Sequence, residues 1–109
     1  MPNETPQHVY LVIGQTGEHE DKTEWIVCAH MSESEALQHA ADAQRCADEY
    51  QRTRRSPYAG APHGVNAFDP DMQMDYDGTR YRTEPVRLYR RHGPGGRILL
   101  VVRPDGGAR

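Results

Sequence analysis

Four residues, Ser32-Glu33-Ser34-Glu35, decide where this chain turns helical. In a capping box the leading Ser accepts from the amide three positions on, and the Glu at that third position reaches back to the amide of the cap. From that start Ala36, Ala40, Ala43, Ala47 and Tyr50 recur at steps of four and three, flanked by Leu37. Asp42, Arg45, Asp48, Glu49 and Arg52 fall away from that stripe. The spacing predicts one amphipathic helix running to about Arg54. A stripe made mostly of alanine buries little area per residue, yet it lets the helix backbone approach a sheet closely. A bulky residue at Ala43 is therefore expected to overpack the contact, at a cost of about 1 to 3 kcal/mol.

Both sides of the helix read as strands. His8-Val9-Tyr10-Leu11-Val12-Ile13 is β-branched and aromatic, ends at Gly14, and is too short for a helix. Gln15 to Lys22, with Gly17, supplies a hairpin loop, and Thr23 to Met31 predicts the second strand. Strict alternation would put Trp25, Val27, Ala29 and Met31 on one face, with Ile26, Cys28 and His30 on the other. Thr79 to Tyr89 predicts a third strand, which Pro85 assigns to an edge or a bulge. Gly93-Pro94-Gly95-Gly96 signals a turn, and Arg97 to Arg103, the most continuous apolar run, predicts a fourth strand. The elements give an α+β fold, ββαββ: a four-stranded antiparallel sheet with one main helix on one face. Strand order 2-1-3-4 satisfies the connections.

A chain of 109 residues suffices for one core and not two. Residues 1–7, with Pro2 and Pro6, are expected to form a flexible arm, 8–103 the single domain, and 104–109 a flexible tail. Residues 56–78 are dense in Gly, Pro and Asp and follow neither period, so they read as a long connection. Loops of that length are functional or hold a short helical turn. Asn66 to Met72 suits such a turn, with Phe68 and Met72 as anchors. No apolar run approaches the roughly 20 residues that cross a bilayer, and the start MPNETPQH has neither the basic nor the apolar region of a secretory signal. A cytoplasmic location and no membrane partner are expected. Cys28 and Cys46, without CxxC spacing, read as reduced, partly buried thiols.

The net charge of -3 conceals an asymmetry. Residues 1–50 sum to -8 and residues 51–109 to +5. Glu18, Glu20 and Asp21 at the first hairpin tip, with Asp69, Asp71, Asp75 and Asp77 of the long loop, are the expected protein-binding residues, a negative surface for a basic partner. The blander reading is a hydrated turn and a solvated acidic loop. Arg52, Arg54, Arg55, Arg80, Arg82 and Arg87, with Tyr81 and Tyr89, form the alternative, a nucleic-acid surface pairing phosphate neutralisation with stacking. They also suit the exposed side of a strand and the end of a helix.

Gln73 to Gly78 fits only the later positions of a calcium loop: Gln73 stands where Asp belongs and no helix follows. His8, His30, His39, His63 and His92 lack ligand spacing, although His30 and His39 are placed to meet as a pair. Cys28 with His30 is the nearest approach to a thiol and base, but its apolar neighbours suggest an inert thiol. No GxSxG, GxxxxGK or HExxH occurs. The expectation is therefore no enzyme, no catalytic residue, no metal and no cofactor. Ile98 to Val102 is apolar on both alternating faces, which calls either for a place inside the sheet or for a second chain, a homodimer through that strand or a bound host protein.

Three stretches, VYLVIGQTGE, TEWIVCAHMSESEA and FDPDMQMDYDGTRYRTEPVRL, together resemble small bacteriophage and prophage proteins that pair an opening hairpin with a strand, a Ser cap and an alanine-rich helix. The resemblance covers residues 8–89 and carries no catalytic motif. It implies a phage accessory protein in a bacterial host cell that binds host machinery, in the manner of inhibitors of CRISPR complexes or other defences.

Overall fold

The computed structural model describes residues 7–104. The arm and tail expected at the two ends lie outside the described residues, except that Gln7 and Pro104 belong to strands. The strands are β1 (Gln7–Thr16), β2 (Thr23–His30), β3 (Arg80–His92) and β4 (Ile98–Pro104), with one helix, α1 (Glu33–Thr53), between β2 and β3. Ser32 accepts from the Glu35 amide and starts α1 where the capping box predicts. The protein is α+β, with an antiparallel sheet in the order β2-β1-β3-β4. The alanine stripe faces the sheet: Ala36, Ala40, Ala43 and Ala47 are all buried, and Val12 of β1 packs against Ala36 and Ala40. No described helix is long and apolar enough to cross a membrane.

One expectation changes and two readings left open are resolved. First, strict alternation fails in β2. Val12 pairs with Cys28 but Ile13 pairs with Ile26, so Val27 is an extra residue. A bulge of this kind reverses which face the rest of the strand presents. Trp25, Cys28 and His30 therefore lie opposite Gly14, Val12 and Tyr10 on the helix side, and Ile26 is turned out, 65% exposed. Second, β3 is central, pairing with β1 through residues 80–88 and with β4 through 86–92. Pro85 fits there because β4 contributes its last partner at Val86↔Pro104, so the ladder on that side has already ended. Third, β4 is not in the sheet interior. It is an edge strand, exposed along its length apart from a half-buried Val101.

Residues 56–78 do not hang free. They fold back over α1, so that Met72 and Met74 pack on Ala47 beside Tyr50 and Tyr81. Asn66 is fully buried and satisfied: its amide donates to the Ala43 carbonyl at 2.9 Å and its side-chain oxygen accepts from the Phe68 amide at 2.9 Å. The helical turn expected over 66–72 is two successive turns instead, closed by bonds from Asp69 to Asn66 and from Met72 to Asp69. Helix side chains complete the attachment. Tyr50 donates to the Gly60 carbonyl, and Arg54 donates to the carbonyls of Ala59 and Asp75.

Candidate functional site

Near the β1–β2 turn, Trp25, Gly14 and Tyr81 stand side by side on β2, β1 and β3. Gly14 is required at the middle position, since a Cβ there would come within 2.6 Å of the Trp25 ring. Trp25 Nε1 and the Tyr81 hydroxyl both donate to Asp69 Oδ2, at 2.9 and 2.8 Å. Asp69 as a whole is 2% exposed, so it faces the interior and holds the long loop to the sheet. Burial, and then the Asp69 carboxylate, push the Tyr81 phenol well above its usual range. Asp69 thus stands apart from the other acidic residues singled out by sequence. The only signal for it was that a Trp and a Tyr taken partly into the interior each need a hydrogen-bond acceptor.

The rest of the acidic set divides. Glu18 and Asp21 of the β1–β2 turn meet Asp75 and Asp77 of the long loop around one open recess of about 550 Å³, with Gly17, Tyr76 and Arg80 completing its wall. Arg80 is tied to Glu18 at 3.1 Å. Asp75 accepts from the Asp77 amide, which fixes the local turn. Tyr76 is exposed and its ring lies 6.3 Å from that of Tyr58, also exposed. Glu20 is exposed in the short helical turn His19–Asp21, and Asp71 pairs with His63 at 3.1 Å; neither lines the recess.

The arginines do not converge as the alternative reading requires. Arg52 pairs with Glu49, Arg54 holds loop carbonyls, and Arg55 is exposed beyond the helix. Arg82 bonds Glu24 at 3.0 Å and lies 3.7 Å from Glu84; its guanidinium beside Glu24 holds that carboxyl below the usual range. Only Arg87 joins a cationic face, with Tyr89, Arg91 and Arg103 on the ribbon formed by β3 and β4. The opposite face of the ribbon carries Ile98, Leu100 and Val102, all more than half exposed.

The Val27 bulge has one more effect. Cys28 and His30 now lie under α1, where His39 meets them: His30 Nε2 is 3.2 Å from His39 Nδ1, and Cys28 Sγ is 3.7 Å from His30 Nε2. Burial first, then the charge of Asp69, push the Cys28 thiol up, which leaves it protonated and weakly nucleophilic at neutral pH. Sequence spacing hinted at each pair, Cys28 with His30 and His30 with His39, and His30 joins the two pairs into a trio.

No protein family, curated protein or solved structure matches the chain.

Proposed function

We propose that this chain is a non-enzymatic protein-binding module, of the accessory kind that phages and prophages encode, whose acidic recess receives a basic surface of a host protein such as a defence complex. The observation that carries this reading is the meeting of Glu18 and Asp21 with Asp75 and Asp77, brought from distant stretches of chain to one recess with exposed Tyr76 beside it. Four carboxylates against the single cation Arg80 favour a positive partner and steer its approach. An exposed tyrosine at such a place offers the rigid, amphipathic anchor that interfaces favour. The phage context rests on the sequence resemblance alone.

The test replaces Glu18 and the three aspartates by Gln and Asn, which removes charge while keeping the turn at Asp75. Capture from bacterial host lysate should recover a basic protein with the wild-type chain, in a salt-sensitive manner, and lose it with the variant. Equal capture by both would remove the recess from the account.

A second reading, nucleic-acid binding, is favoured by one observation: Arg87 lies directly opposite Arg103 in the β3–β4 ladder, with Arg91 and Tyr89 on the same face. Guanidinium groups gathered beside a tyrosine suit phosphate neutralisation combined with stacking. Affinity for an oligonucleotide that falls steeply with salt, and weakens in Arg91→Ala, would support it. No binding at low salt would end it.

A further inference from the structure

The Cys28, His30 and His39 cluster has the geometry of a metal site. All three donor atoms lie within 4.8 Å of one another, half-buried on the helix side of β2. Around a tetrahedral zinc ion, ordinary Zn–N and Zn–S bond lengths place two nitrogens about 3.3 Å apart and a sulfur about 3.6 Å from a nitrogen. Two edges of the cluster, 3.2 Å between the imidazoles and 3.7 Å from the thiol to His30, already match those separations without an ion.

The surroundings of both imidazoles point the same way. His39 Nε2 is 2.8 Å from the Phe68 carbonyl, which can only accept, so Nε2 carries a proton and Nδ1 is the nitrogen turned to the cluster, 3.2 Å from His30 Nε2. His30 presents Nε2 to the cluster, and its other nitrogen, Nδ1, lies 3.9 Å from Glu35 Oε1. The carbonyl bonded behind His39 is the kind of partner that orients an imidazole on a metal, and the Glu35 carboxylate behind His30, beyond hydrogen-bond length as it stands, is placed to take up that role when the ring proton faces it. The His30 side chain is 26% exposed, which leaves an entry path.

We propose that Cys28 Sγ, His30 Nε2 and His39 Nδ1 bind one borderline-soft divalent cation of the zinc type, leaving its fourth position to water. On binding, the Cys28 thiol releases its proton to solvent, and the Nε2 proton of His30 moves to Nδ1, facing Glu35; no electron changes hands. The ion would clamp β2 to the first half of α1. This inference is independent of the acidic recess, which lies elsewhere on the chain.

The test is a titration of the reduced, metal-stripped full chain with Co²⁺. One equivalent should produce the visible bands of tetrahedral cobalt together with a thiolate-to-cobalt charge-transfer band, and Zn²⁺ should abolish both. Cys28→Ala should lose the charge-transfer band. Glu35→Gln, altered at an exposed position, should bind Co²⁺ roughly ten- to a hundredfold more weakly. Absence of the charge-transfer band in the wild-type chain, or its persistence in Cys28→Ala, overturns the proposal. Should Cys28→Ala fail to fold, Glu35→Gln decides: weaker binding supports the site and unchanged binding overturns it.

Discussion

The long loop and the β3–β4 ribbon exchange the roles that their compositions suggest. Residues 56–78, rich in Asp, Gly and Pro, supply Asn66, Asp69, Met72 and Met74 to the interior. The ribbon carries the most continuous apolar run in the chain, yet Ile98, Leu99, Leu100 and Val102 are exposed. The difference lies in layering. The loop has α1 beneath it, so its few apolar side chains are covered and its polar ones find fixed partners. Of β4's neighbours, only β3 pairs with it among the described residues, and the helix does not extend over it. Hydropathy states which residues gain from burial; only a second layer supplies it.

The most damaging way to break this contrast is Asp69→Ala, which strips the acceptor from Trp25 and Tyr81 together. Two half-buried donors left unpaired should cost about 3 kcal/mol, read as a lower urea midpoint, with a loss below about 1 kcal/mol showing that the loop holds without that carboxylate. A gentler disturbance of the same contact is alkaline pH. The folded pKa of Tyr81 is raised above its unfolded value, so its contribution is complete below the unfolded phenol pKa of about 10 and is lost as pH rises through the folded value. Stability should therefore decline above about pH 10, and Tyr81→Phe should flatten that part of the profile. The ribbon should answer least. Leu100→Lys, at a residue 63% exposed, should change stability by less than about 0.5 kcal/mol. A large loss there would mean that a second chain covers the strand, and sedimentation of wild type and variant would show it.

The legible parts of the fold are those written in local periodicity. Ser32 and the alanine stripe mark α1 because a cap and a repeat are near-neighbour signals, and the β-branched runs mark four strands for the same reason. The hairpins β1–β2 and β3–β4 follow from short connections, whereas the pairing of β1 with β3 spans the helix and the long loop. The bulge at Val27 leaves no such trace, since one extra residue reverses a face without altering composition. Asp69 looks like its acidic neighbours because its partners, Trp25 and Tyr81, are remote in sequence. The recess was half legible: its carboxylates stand out, but that the hairpin tip and residues 75–77 share one wall depends on how the loop returns over the helix.

Trp25 is the only tryptophan in the chain, and its indole N–H is bonded to a carboxylate carried by the loop. Nature has thereby wired a single fluorophore to the segment whose seating matters most. Its emission should shift when residues 56–78 lift off, giving an optical readout of local opening that leaves the distant ribbon silent.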